Sequence, residues 1–400
     1  MVTIGLDVLC ADRLALCRGR RVGVLCHPAS VAADLTHIVD RLIEAGVRPT
    51  RLFGPEHGVR GEAQDMIGVD GETDRRTGIP VTSLYGSSFE SLAPPAAALA
   101  DVDVLLIDLQ DVGSRYYTYV WTMALAIEAA ARAGVAVVVL DRPNPLGGAG
   151  IESGPVRPGY ESFVGLGAVA VRHGMTAGEI ALMVRAGMSW GRLARFAQPI
   201  DCDLTVVSMK GWRRSMDFDD TGLPWVMPSP NMPTLDTAFV YPGLCLVEGT
   251  NMSEGRGTTR PFEIVGAPYI DGYRLAEALE RRQLPGVRFR PLSFFPTFHK
   301  FARRSCGGVQ LHVTDRASFR PYRTGVALLH AVRQQAPRDF AWRTEPYEFV
   351  SHPPAIDLLT GGDAVRTGID AGRSYDELEA GFAPFEREFA EHRRPFLLYD

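Results

Sequence analysis

Several polar clusters follow directly on apolar runs, and their residue types suit chemistry on a polyhydroxylated, acid-bearing ligand. "FGPEHGVRG" (53–61) sets Glu56 beside His57, with Arg60 three residues further on. A carboxyl held in a desolvated cleft can keep its proton near neutral pH, which suits a general acid that protonates a leaving group. The alternative is a loop carboxylate that caps the next segment or pairs with Arg60. "DLQDVGSRYYTYVW" (108–121) gathers Asp108, Gln110, Asp111, Arg115, Tyr116, Tyr117 and Tyr119. Aromatic faces stack on the apolar side of a sugar ring, and acids and amides take its hydroxyls. Equally, the tyrosines could stack into the core while Asp111 or Ser114 begins a helix.

"VEGTNMSEGRGTTRPFEIVGAP" (247–268) is the densest polar stretch of the second half, with Glu248, Asn251, Glu254, Arg256 and Arg260 among four glycines. Forked guanidiniums fit a carboxylate-bearing ligand; a solvated turn with internal salt bridges is the competing reading. The P-loop order GxxxxGK[ST] is absent, which argues against nucleotide binding. His27, Glu56, His57, Asp108, Asp111, Asp141 and His173 could converge as metal ligands at one sheet edge, but none shows the close helical or Cys/His spacing of zinc sites. No GxSxG elbow supports acyl-transfer hydrolysis.

These clusters need elements that bring them to one place. "RVGVLC" (21–26), "TRLFG" (50–54), "DVDVLLIDLQD" (101–111) and "VAVVVLD" (135–141) are short apolar runs, alternating with helical stretches at 34–46 and 119–134. Runs without polar alternation predict strands buried on both faces, hence a parallel sheet flanked by helices. In such sheets ligands bind beyond the carboxyl ends of the strands, where these polar clusters begin. "GAVAVRHG" (167–174) is read as a further strand delivering His173, followed by a helix at 175–188 with a Thr176/Glu179 capping box. "LTVVSM" (204–209) is another strand.

The proline-rich stretch 223–243 predicts a boundary, because proline continues neither a helix nor a central strand. Residues 1–228 then form a Rossmann-like α/β domain, and 229–400 a smaller α+β domain that completes the cleft. The latter has strands near 287–294 and 308–315 and helices at 271–283, 322–335 and 373–391.

Four hundred residues with 46% apolar and 22% charged content suit such a two-domain globular enzyme. A net charge of −5, with Lys210 and Lys300 the only lysines, leaves no footprint for nucleic acid. No run reaches the roughly 18 apolar residues of a membrane span. Six cysteines without a C-x-x-C pair read as reduced thiols, and the first twenty residues lack a signal-peptide pattern. The expected location is cytoplasmic, and the expected partner a small-molecule substrate.

With these residues in view, "FGPEHGVRG", "LLIDLQDVGSRYYTY", "LDRPNPLGG", "PSPNMPT", "YPGLCLVEGTNMSEGRGTTRPFEIVGAP" and "PTFHKFA" together resemble the NamZ-like exo-β-N-acetylmuramidases. The resemblance implies a Rossmann-like domain with a smaller C-terminal domain. It also implies removal of N-acetylmuramic acid from the non-reducing end of peptidoglycan fragments, with neither metal nor organic cofactor. It places the catalytic glutamate on Glu56. The other matched positions are expected to line the cleft: His57, Arg60, Asp108, Gln110, Asp111, Arg115, Tyr116, Asn144, Asn231, Glu248, Asn251, Glu254, Arg256, Arg260 and His299. His173 is expected there from its strand-end position alone. The second catalytic group stays open among Asp108, Asp111, Glu248, Glu254 and the substrate's own acetamido group. A non-catalytic muropeptide receptor and a metal-dependent hydrolase are the rival readings.

Overall fold

A computed structural model of the chain describes residues 1–56, 58–59 and 73–400, so His57 and Arg60 lie outside the described residues. Six strands, β1 (Val22–Cys26), β2 (Arg51–Gly54), β3 (Val81–Ser83), β4 (Val104–Asp108), β5 (Ala136–Leu140) and β6 (Leu204–Val207), form one sheet in the order β3-β2-β1-β4-β5-β6. Every pairing is parallel. The three central strands, β1, β4 and β5, are buried at every residue, as their uninterrupted apolar runs require. The strand order reverses between β1 and β4, where Cys26 pairs with Asp108, and the crevice beyond that switch point is where ligands bind in such sheets.

A smaller antiparallel sheet, in the order β7-β9-β8, is built from β7 (Ile264–Ala267), β8 (Val287–Phe294) and β9 (Cys306–Val313). Its helices, Leu235–Leu244, Gly272–Glu280 and Pro321–Gln335, pack around it. The crossing of Leu235–Leu244 with Pro321–Gln335 is close, since a Cβ on Gly325 would stand 2.2 Å from the Gly243 carbonyl oxygen. One apolar cluster runs without a break from Leu25 in β1 to Phe389 in the last long helix. The C-terminus returns to the parallel sheet, where the Tyr399 hydroxyl donates to Asp141 Oδ2 at 2.6 Å.

Three expectations change. Residues 167–174 form no strand: β6 occupies the place beside β5, and the run is a buried loop tied by single bridges from Arg172 to Ser114 and Glu152. The Thr176/Glu179 capping box after it is present. The proline-rich stretch carries the helix Leu235–Leu244 with Pro242 inside it, because burial on all sides outweighs one lost backbone hydrogen bond. The helix expected at 373–391 divides into Tyr375–Glu379 and Ala383–Arg393, the second with proline in its first turn. The helix after β4 begins at Tyr119 behind Thr118, as the helical stretch at 119–134 predicts, so the alternative start at Asp111 or Ser114 falls.

Candidate active site

The chain leaves β2 through a tight turn. A Cβ on Gly54 would meet Val59 N at 2.9 Å, and the Gly58 amide donates to the Pro55 carbonyl at 2.9 Å. Glu56 sits inside this turn, 6% exposed. Its Oε2 accepts from the Thr118 hydroxyl at 3.0 Å. The neighbouring Tyr119 hydroxyl lies 3.3 Å from the Glu56 carbonyl oxygen and donates to the Pro228 carbonyl at 2.8 Å. The end of β2, the segment after β4 and the chain near residue 228 thus meet around Glu56, through its carboxylate and its main-chain carbonyl.

Glu56 lines a pocket that holds about 480 Å³ of free space when the solvent at its open mouth is included. Tyr116, Tyr117, Thr118, Tyr119 and Val164 contribute from before residue 228; Ser229, Asn231, Met232, Tyr241, Glu248, Arg256, Phe262, Tyr347 and Glu348 contribute from after it. Tyr117 stands edge-on to both Tyr119 and Tyr241, with centroids 4.7 and 5.9 Å away. Burial pushes the phenols of Tyr117, Tyr119, Tyr241 and Tyr347 up, so they keep their protons and serve as donors.

Charge in the pocket is organised around Arg256. Its Nη2 donates to Glu248 Oε1 at 2.8 Å, and its Nε lies 3.3 Å from Glu254 Oε1. Glu248 Oε2 accepts from the Tyr347 hydroxyl at 2.6 Å, so both of its oxygens are engaged. Burial alone would raise the Glu254 carboxyl; Lys300 at 3.0 Å, His299 at 3.1 Å and Arg256 outweigh it and hold the group well below the usual carboxylate range. Glu254 is therefore an anion that anchors Arg256 from beneath.

Residues 22–236 match the family model for the N-terminal part of exo-β-N-acetylmuramidase NamZ, and residues 239–399 match the model for its C-terminal part. This chain belongs to the NamZ family. The peptidoglycan β-N-acetylmuramidase NamZ of Bacillus subtilis (strain 168) is 46% identical over 399 residues, a match covering all of this chain and 91% of that protein. Two solved structures of DUF1343 family proteins from Bacteroides fragilis are similar over 100% of this chain and 99% of each of theirs. Their TM-scores are 0.87 and 0.76, at 33% and 30% identity.

Of the residues carried over from the NamZ motifs, Glu56, Tyr116, Asn231, Glu248 and Arg256 line the pocket, with Glu254 and His299 behind Arg256. The other described ones are placed elsewhere. Asp108 is fully buried in an ion pair with Arg142, whose Nη2 donates to Oδ2 at 2.8 Å. The Gln110 amide group bonds the Asp111 and Pro143 carbonyls, and its backbone N–H donates to His27 Nε2 at 2.9 Å. Asp111 accepts from the Gly113 amide and lies 3.2 Å from His173 Nε2; the other His173 nitrogen accepts from the Met175 amide. Arg115 was expected to line the cleft, yet it is buried against backbone. It donates to the Val169 and Leu359 carbonyls at 3.0 and 2.7 Å, and burial pushes its guanidinium pKa down. Asn144 closes the turn after β5, Asn251 bonds Asp339, Ala341 and Tyr269, and Arg260 pairs with Glu263 at the surface.

Asp141 is also occupied, accepting from Thr176, Gly178 and Tyr399. Among the described residues, no three His, Cys, Asp or Glu side chains group as a metal site; His57 of the seven candidates lies outside them. Tyr347 and Glu348 were missed. They lie in "EPYEFV" (345–350), and the signal available was the same mixing of acid and aromatic residues that marked 108–121.

Proposed function

We propose that this chain is an exo-β-N-acetylmuramidase that hydrolyses terminal N-acetylmuramic acid from the non-reducing end of peptidoglycan fragments, with Glu56 as the general acid. The observation that carries the reading is the position of Glu56. The glutamate of the GPEHG motif is buried, hydrogen-bonded to Thr118, and shares one pocket with a tyrosine wall and the Arg256–Glu248 pair. Glu56 protonates the glycosidic oxygen as the bond to the anomeric carbon breaks. The tyrosines pack on the sugar ring, and Ser229 and Asn231 serve its hydroxyls and acetamido group. Arg256 is the cation lining the pocket among the described residues, and it is the candidate for the lactyl carboxylate that distinguishes muramic acid from glucosamine.

The cleft draws on both halves of the chain, which favours a division into 1–228 and 229–400 with the site between them. No described helix is long and apolar enough to cross a membrane. The six cysteines are free and five are buried, which suits a reducing compartment such as the cytoplasm. The test is turnover of a chromogenic N-acetylmuramic acid glycoside set against the N-acetylglucosamine analogue. Turnover of the first alone is expected; tight binding without turnover would replace the enzyme reading with a muropeptide receptor.

A further inference from the structure

A second cavity lies apart from the Glu56 pocket, and no described residue lines both. It holds about 150 Å³, the volume of an apolar cavity that admits a benzene-sized molecule. Val365, Leu378 and Phe382 give it apolar walls, and the exposed Arg157 and Arg373 also line it. Tyr322, on the helix Pro321–Gln335, completes the lining that matters here. Its side chain is fully buried, and its hydroxyl has no hydrogen-bond partner among the described residues. Burial pushes the phenol pKa up, so the group keeps its proton and can donate.

Behind the cavity wall sits Arg115, a fully buried guanidinium whose charged-group neighbours among the described residues are the phenols of Tyr116 and Tyr322, with no carboxylate. Its Nη1 lies 3.5 Å from the carbonyl of Gly154, which lines the cavity, and its Nη2 donates to the Leu359 carbonyl at 2.7 Å, one residue before the lining Thr360. A buried cation without an anion is costly, and carbonyl dipoles offset only part of that cost. The nearby acids are engaged. Glu377 Oε2 accepts from the Ser374 amide and hydroxyl, both at 2.8 Å, and Glu152 and Glu386 pair with Arg172 and Arg323. Arg157 reaches Asp363 only at 3.9 Å, and Arg373 makes no salt bridge among the described residues. Arg115, Arg157 and Arg373 against Asp363 and Glu377 leave an excess of positive charge around apolar walls.

We infer that this cavity is a second ligand site, for a small carboxylic acid with a compact apolar body. The Tyr322 hydroxyl donates to the carboxylate, Arg115 offsets its charge from behind the wall, and Arg157 and Arg373 draw the anion in from solvent. The apolar body fills the space between Val365, Leu378 and Phe382. Arg115 thereby gains the counter-ion that its own surroundings lack.

Benzoate is the probe, since its ring suits the volume and its carboxylate the charge. Isothermal titration calorimetry should show a saturable benzoate site with a Kd of about 1 mM or tighter, and benzamide, the neutral counterpart, should bind at least about tenfold more weakly. A Cβ on Gly154 would meet nothing within 4 Å, so Gly154→Leu fills the site without displacing a neighbour and should abolish binding. Tyr322→Phe should weaken benzoate by about tenfold or more yet melt at or above the wild-type temperature, because it removes a buried hydroxyl that no described residue engages. A wild-type chain with no saturable benzoate site overturns the inference, as do benzamide bound equally tightly, benzoate affinity unchanged in either folded variant, or a Tyr322→Phe chain that melts below wild type. None of these results touches the muramidase reading, whose own test is turnover of the muramic acid glycoside.

Discussion

Thr118 stands at the N-terminus of the helix Tyr119–Ala133, yet its hydroxyl makes no capping bond and donates to Glu56 at 3.0 Å. A threonine cap is worth about 1 kcal/mol to a helix, so the fold forgoes that stabilisation to hold one carboxylate. Glu56→Gln keeps the acceptor for Thr118 but removes the transferable proton. It should lower kcat by about 10²–10⁴-fold with an unchanged melting temperature, read by steady-state kinetics and differential scanning calorimetry. Thr118→Val should cost about tenfold in kcat with stability preserved, since only the orientation of Glu56 is lost.

Arg256 separates two buried acids. Removing it leaves Glu248 with only the Tyr347 hydroxyl, and Glu254 without one of its three cations. Arg256→Ala should destabilise the protein by about 3–5 kcal/mol, measured by urea unfolding, and should raise KM for the muramic acid glycoside. Arg256→Lys should recover part of the stability, because one ammonium cannot reproduce the guanidinium fork.

Asp108 makes a contrasting case. It belongs to the matched motif but is spent on Arg142, which also donates to the Val31 carbonyl and so ties β4 to the segment after β1. Asp108→Asn should cost several kcal/mol in urea unfolding by leaving a buried guanidinium uncompensated. The folded fraction should keep KM within about threefold of wild type, which a substrate-binding role would not permit.

Stability should also carry the mark of Asp141. Burial raises its carboxyl to about 6, despite hydrogen bonds from Tyr399, Gly178 and Thr176 that pull it down. Because the folded value lies above the unfolded one, this group's contribution is fully present below about pH 4 and is lost as pH rises through about 6. From 3.8 to about 6 the difference is worth about 3 kcal/mol at most. Asp141→Asn keeps oxygen acceptors for Gly178 and can donate to the Thr176 and Tyr399 hydroxyls. Its unfolding free energy should fall less steeply than that of wild type between pH 4 and 6.5, as determined by denaturation at a series of pH values.

Much of the fold was legible because strand and helix signals are local. The runs 22–26, 104–108 and 136–140 are apolar throughout, and each became a strand buried on both faces. The loop 167–171 carries the same signal and is buried to the same degree, but β6 had taken the neighbouring position in the sheet. An apolar run reports burial; hydrogen-bond partners decide whether it is a strand.

The sequence by itself determined the layered α/β class, the order of its polar clusters and the motif glutamate at the end of β2. Hydrophobic periodicity and turn chemistry act over a few residues and need no distant partner. Tertiary structure alone decided which polar side chains face the pocket. Asp108 and Thr118 lie in one motif, yet the first closes on Arg142 and the second turns to Glu56. Tyr347 and Glu348 reach the same pocket from the far end of the chain. A loop side chain points where its buried polar atoms find partners, and those partners are set by packing between segments hundreds of residues apart.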